Sequence, residues 1–146
     1  MNRKILVVSA NYYEDISNSL IQGTTNYIKS LKNNDIRDFN FAFEIKTAPG
    51  SFEIPFIINK FRDEYDAFIA LGCIIRGETY HFELISNEVT RKIMDLSISM
   101  NKPIGFGLLT CENIEQAKIR SDINKKNKGA EAARACIAML INKSHG

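Results

Sequence analysis

Cysteine and histidine are scarce in this chain of 146 residues, with three of the first and two of the second. Cys73, Cys111 and Cys136 show no metal-ligand spacing and form no even-numbered set, so neither a zinc centre nor a disulfide framework follows from them. They read as reduced thiols of a cytoplasmic protein. No apolar run approaches the length of a membrane span. The N-terminal Asn2-Arg3-Lys4 followed by Ile5 to Val8 is too short for a signal-peptide core and reads as a first strand. No charge of one sign dominates. The net charge is +2, with Lys and Arg spread along the chain, which argues for neither a nucleic-acid nor a membrane partner. Only Lys125-Lys126-Asn127-Lys128 is locally basic, and a short run of that kind is ordinarily a solvated helix end. There is no Ser/Gly linker, no repeat and no low-complexity stretch. Residues 1–146 therefore read as a single domain.

What the chain does have is apolar residues, 45% of the total, in alternating strand and helix patterns. Ile5 to Val8 is a short strand. A helix follows, with Asp15 or Ser17 as its cap and Ile16, Leu20, Ile21, Tyr27, Ile28 and Leu31 near a 3.6-residue period. Lys32-Asn33-Asn34-Asp35 is a polar stop. Phe39 to Thr47 alternates with period two. Pro49-Gly50 is a turn. Glu53 to Phe61 is a short helix, with Pro55 tolerable in its first turn. Ala67 to Leu71 is a buried strand. Phe82 to Met100 is a long helix striped by Phe82, Ile85, Val89, Ile93, Leu96 and Met100. Pro103 to Leu109 is the last strand, closed by helices Asn113 to Arg120 and Gly129 to Ile141. This order predicts an α/β fold: a three-layer α/β/α sandwich on a four-stranded parallel sheet, flavodoxin-like.

In such a sheet the loops after the strands gather on one edge, where ligands bind. Here they are Ser9 to Glu14, Pro49 to Glu53, Gly72 to His81 and Thr110 to Glu112. The third is the richest. It offers backbone N–H groups, Arg76 and a helix N-terminus, which together attract an anion. It also holds His81, the one histidine away from the C-terminal tail. An anion cradle beside a proton carrier points to chemistry on a phosphorylated or otherwise anionic small molecule. Tyr12, at a strand end, can stack on a flat heterocycle or simply pack on its own loop. Glu53 can accept hydrogen bonds from a ligand or merely complement a helix dipole. Arg120 and Lys128 are ordinary as phosphate ligands and equally ordinary as solvated charges.

With these residues placed, the chain resembles the 6,7-dimethyl-8-ribityllumazine synthase family of riboflavin biosynthesis over nearly its whole length. The matching segments include Pro49-Gly50-Ser51-Phe52-Glu53-Ile54-Pro55, Ile75-Arg76-Gly77-Glu78-Thr79, His81-Phe82, Phe106-Gly107-Leu108-Leu109-Thr110 and Asn127-Lys128-Gly129-Ala130-Glu131. The resemblance implies the joining of 5-amino-6-(ribitylamino)uracil to 3,4-dihydroxy-2-butanone 4-phosphate, giving the lumazine, phosphate and water, with no metal or redox cofactor. It places Tyr12 against the pyrimidine ring. Ser51, Phe52, Glu53, Cys73, Ile74 and Ile75 fall at pyrimidine-binding positions, with Phe106 as a ring contact and Lys128 near the same site. Glu78, Thr79 and Arg120 fall at phosphate-binding positions and His81 at the proton donor.

The resemblance also implies a homopentamer with active sites between adjacent subunits, Phe106, Arg120 and Lys128 coming from the neighbour. Assembly of twelve pentamers into an icosahedral shell and delivery of product to riboflavin synthase stay open. So does a leading strand that pairs with a neighbour in the family; this chain begins almost at its first core strand. Several positions depart from the family. Tyr13 stands for an asparagine, Tyr80 for a small residue or proline, Ile119 for an acid, and Ser121 to Lys126 for a glycine-containing loop in which Asp122 brings a negative charge near the expected phosphate. Two other readings compete: a non-catalytic flavin- or lumazine-binding or shell-forming homologue, and a flavodoxin-type carrier. The second is disfavoured by a first loop without a Ser/Thr/Gly-rich phosphate cradle.

Overall fold

The computed structural model describes residues 2–31 and 39–145. The expected polar stop at Lys32-Asn33-Asn34-Asp35 lies outside the described residues. Four strands, β1 (Asn2–Ala10), β2 (Asn40–Ala48), β3 (Ala67–Ile75) and β4 (Ile104–Cys111), form one sheet in the order β2-β1-β3-β4. Every pairing is parallel. Among the described residues five α-helices cover it: α1 (Glu14–Ser30), α2 (Ile54–Lys60), α3 (His81–Met100), α4 (Ile114–Ser121) and α5 (Lys128–His145).

The unbroken apolar run in β1 follows from burial on both faces, as parallel sheets require. Ile5 and Val7 point to one side, into a core with Ile16, Leu20 and Ile28 of α1 and Ala133, Ile137 and Leu140 of α5. Leu6 and Val8 point to the other, where Ile54 and Ile58 of α2 meet Val89, Ile93 and Leu96 of α3. The result is the expected three-layer sandwich. Deleting a side chain of either core to alanine costs about 2–5 kcal/mol. The helix stripe on α3 is only partly as expected: Val89, Ile93 and Leu96 are buried, whereas Phe82, Ile85 and Met100 are half-buried against the same core.

Three local expectations change. Strand β3 runs through Gly72 to Ile75, which the sequence reads as turn, because β4 supplies partners for each residue, Gly72 opposite Leu108 and Ile75 opposite Cys111. Helix α1 is capped by neither Asp15 nor Ser17. Tyr13 holds the cap position without a side-chain bond, and the Ser17 hydroxyl instead shares a 2.9 Å hydrogen bond with Ser9 of β1. On β2 the apolar alternation is weakly used: Phe41 is buried, but Ile45 is 42% exposed, because this strand is an edge of the sheet.

Strand order positions the site. From β1 the chain steps to β2 on one flank, then returns past β1 to β3 on the other. The connections after β1 and β3 therefore diverge and leave a crevice above the carboxyl ends of these two strands, where open α/β sheets take their ligands.

Candidate active site

A cleft of about 520 Å³ opens at this crevice. Tyr12 and Tyr13 reach it from the end of β1, Gly50 to Glu53 from the end of β2, Cys73 to Ile75 from β3 itself, and His81 and Ile85 from the first turns of α3. Each segment has a local reason to be there. Gly50 enters a 3-10 turn, Ser51–Glu53, whose last amide returns a 3.2 Å hydrogen bond to the Gly50 carbonyl. Ser51 is buried by packing directly on Gly72: a β-carbon at Gly72 would lie 2.7 Å from the Ser51 Oγ. Glycine is thus what lets the β2 loop close down on β3. Phe52 is left 61% exposed on the outer lip.

Tyr12 is 74% exposed at the rim. The adjacent Tyr13, half-buried on the main core, lines the wall. Burial raises the Tyr13 phenol above its ordinary value, with nearby Cys73 and Tyr12 adding to the effect. Burial likewise pushes the Cys73 thiol up to about 12, with neighbouring Cys111 contributing. A thiol held neutral to that extent is not a nucleophile at neutral pH, so Cys73 serves as wall and not as a covalent catalyst. His81 is exposed at the head of α3, its backbone N–H directed at Thr79 Oγ1 across a long 3.4 Å contact.

The cleft therefore collects Tyr12, Ser51, Phe52, Glu53, Cys73, Ile74, Ile75 and His81. Glu78 and Thr79 stand exposed on the connection into α3, beside the cleft and not in its wall. Phe106, Arg120 and Lys128 do not line it either. Phe106 is 46% exposed on edge strand β4. Arg120 is half-buried, with Nη1 donating to the Gln116 carbonyl of its own helix at 3.2 Å. Lys128 opens α5, and its Nζ pairs with Glu131 at 3.0 Å. Among the described residues, those that form the wall include neither lysine nor arginine.

One expectation is overturned. Arg76 is not an open anion ligand. Its guanidinium donates to Glu83 and, at 2.7 Å, to Glu112. Those two bonds, Glu83 first, raise the Arg76 pKa, and Arg76 in turn holds the Glu83 carboxyl below the usual carboxylate range. Asp122 is also occupied. Its carboxylate accepts the Asn124 N–H at 2.8 Å, its carbonyl accepts Lys125 and Asn127, and Asn127 takes the left-handed conformation (φ 45°) that closes the loop. Sequence reasoning missed Ile85 as a cleft residue, since its place in an apolar helix stripe marks it only as core. It flagged Tyr13 as a departure without placing it in the wall.

The sheet and its cleft define a three-layer α/β protein with a largely apolar cleft at the switch point of its sheet and a histidine in the lining. The family model described as 6,7-dimethyl-8-ribityllumazine synthase matches residues 2–144. Proteins of that name from Zymomonas mobilis and Agrobacterium fabrum are similar to this chain, at 43% identity (94% of this chain, 94% of the relative) and 41% identity (93% and 91%). One from Bartonella henselae is 39% identical over 95% of this chain and 87% of its own length. The chain belongs to the 6,7-dimethyl-8-ribityllumazine synthase family, and so to the transferases of riboflavin biosynthesis.

Proposed function

We propose that this cleft condenses 5-amino-6-(D-ribitylamino)uracil with 3,4-dihydroxy-2-butanone 4-phosphate to 6,7-dimethyl-8-ribityllumazine, phosphate and water, in the cytoplasm and within a homopentamer. The observation that carries this reading is the gathering of Tyr12, Ser51 to Glu53, Cys73 to Ile75 and His81 around one cleft at the sheet's switch point. The Tyr12 ring stacks on the pyrimidine. Ser51 and the amides of the 3-10 turn meet its polar edges, and Glu53 accepts from them. The phosphosugar lies toward Glu78 and Thr79, where backbone N–H groups at the head of α3 face it.

An amine must add to a ketone, water and phosphate must leave, and a second ring must close. None of these steps needs a covalent bond to the protein. Holding the two reactants in one orientation replaces a bimolecular encounter and is the largest contribution. His81 carries protons between nitrogen, oxygen and solvent. Cations further stabilise the departing phosphate, and among the described residues the wall of the cleft has none. Arg120 and Lys128 supply them from the adjacent subunit, with Phe106 closing over the ring. The site is thereby complete only in the assembly.

Mixing purified protein with both substrates and following absorbance at lumazine wavelengths tests the reaction. Product that forms with both substrates, at a rate proportional to protein, supports it. No product above the slow uncatalysed background from a folded pentamer overturns it.

A further inference from the structure

Arg76, the first residue after β3, joins three segments of chain. Its backbone N–H donates to the Cys111 carbonyl at 2.9 Å, tying it to the end of β4. Its Nε donates to Glu112 Oε2 at 2.7 Å, on the connection from β4 to α4, while Nη1 reaches Glu83 in the first turn of α3. Its guanidinium also lies 4.4 Å from the centre of the Phe82 ring. The chain of contacts continues past Glu112. The Glu112 N–H donates to Gln116 Oε1 at 2.8 Å, the Gln116 N–H donates to Asn113 Oδ1 at 2.9 Å, and Arg120 donates to the Gln116 carbonyl at 3.2 Å.

We propose that Arg76 is a positioning residue for the phosphate-bearing substrate. It does not bind the anion. It fixes the segment Gly77 to Tyr80 and neutralises the two carboxylates that flank it. The nature of the ligand rests on the function proposed above; the clamp itself rests on these contacts. Packing gives the segment little support. Residues 77–80 are all exposed, and nothing lies within 4 Å of where a β-carbon on Gly77 would stand. At its far end Tyr80 is tied into α3, its carbonyl accepting the Leu84 N–H at 3.2 Å, while the Thr79–His81 contact is long, at 3.4 Å. Its near end is tied through Arg76. Electrostatics points the same way. With Arg76 removed, Glu83 and Glu112 would leave two uncompensated negative charges beside a seat for a dianion, and like charges at such range repel. Arginine suits the task because its planar fork can serve two acceptors in different directions at once; a lysine ammonium is a single point charge.

The test compares Arg76→Gln, Arg76→Lys and Glu112→Gln with the parent chain. For Arg76→Gln the KM of the phosphosugar rises roughly tenfold while that of the pyrimidine stays within about twofold, since misplacing one binding element weakens what that element holds. Arg76→Lys falls between. Glu112→Gln, which removes one negative charge but keeps the tie to Glu83, costs less than Arg76→Gln. Inorganic phosphate titrated by phosphorus NMR follows the same order without any turnover. A parent chain that binds inorganic phosphate yet makes no lumazine fails the reaction reading alone, and the phosphate series still decides the clamp. Equal rises in both KM values, or unchanged phosphate affinity in Arg76→Gln, overturn the proposal. Should Arg76→Gln fail to fold, Arg76→Lys carries the same KM comparison.

Discussion

Tyr12 stands edge-on against Tyr13, with ring centroids 4.9 Å apart and planes at 75°. The outer ring is open to solvent and the inner one is seated on the core, so Tyr13 buttresses the Tyr12 ring. Truncating an aromatic that stacks on a base costs about 1–3 kcal/mol. Tyr12→Ala is therefore expected to raise the pyrimidine KM by about tenfold and to leave the phosphosugar KM nearly unchanged. Tyr13→Ala gives a smaller rise in the same KM, and Tyr13→Phe, which keeps the ring, gives almost none. Steady-state kinetics with each substrate varied in turn checks all three. A full-sized effect of Tyr13→Phe would mean that the hydroxyl, and not the ring, is what matters.

His81 opens α3 beside the cleft and is its one imidazole among the described residues. General acid–base catalysis contributes a factor of about a hundred to ten thousand, whereas approximation of two bound reactants contributes more. His81→Ala should therefore lower kcat within that range while product still forms above background and both KM values hold. Complete loss of turnover in a folded, substrate-binding variant would reverse the ranking.

How much of this was legible in the sequence varies with the range of the interaction. The alternation of Ile5 and Val7 with Leu6 and Val8 foretells a strand buried on both faces, and the α3 stripe foretells its inward face, because both are local periodicities. The end of β3 is not local. Gly72 to Ile75 become strand only because β4 lies alongside, and no pattern within those four residues announces the partner. Arg76 shows its charge in the sequence but not its carboxylates, one of which is 36 residues away. The Ser17 hydroxyl looks like a helix cap until Ser9 is seen beside it. Phe106, Arg120 and Lys128 enter the site only through resemblance, since nothing within one copy brings them to the cleft.

Gly72 carries the close approach of the β2 loop to the sheet. A methyl there would meet Ser51 Oγ at 2.7 Å and Leu108 Cδ1 at 2.9 Å, both in well-packed surroundings. Overpacking of this kind costs about 1–3 kcal/mol. Gly72→Ala should lower the melting temperature accordingly and raise the pyrimidine KM, as Ser51 is pushed from the wall. Thermal unfolding and kinetics read the two effects separately. An unchanged melting temperature would show that the loop gives way freely.

Alkaline pH tests the buried thiols. Burial pushes Cys73 and Cys136 from 9.0 up to about 12, and burial with a hydrogen bond to Glu44 pushes Tyr65 from 10.0 to about 12. All three are acids whose neutral forms the fold favours, so the folded state binds protons more tightly than the unfolded chain. Their contribution is fully present below pH 9 and is lost as pH rises from there toward 12. The melting temperature should be level from about pH 6 to 8 and fall above about pH 9. In Cys136→Ala the fall should be shallower. A stability that rises through this window would contradict the sign.

Among the described residues the cleft wall holds neither lysine nor arginine, and this makes the strongest claim on assembly. If Arg120 of one subunit serves the His81 of the next, two defective variants can repair each other. His81→Ala protein retains a good Arg120, and Arg120→Gln protein retains a good His81. Unfolded together, mixed in equal amounts and reassembled, about one quarter of the interfaces in a cyclic oligomer would pair an intact His81 with an intact Arg120. Activity should return toward that fraction of the parent value, far above either variant alone. If both residues served the same cleft from one chain, mixing would restore nothing, because every site would keep one defect. An affinity tag on the Arg120→Gln chain that retains untagged His81→Ala chain confirms that mixed oligomers formed, so a failure to recover activity would then tell directly against a site shared between subunits.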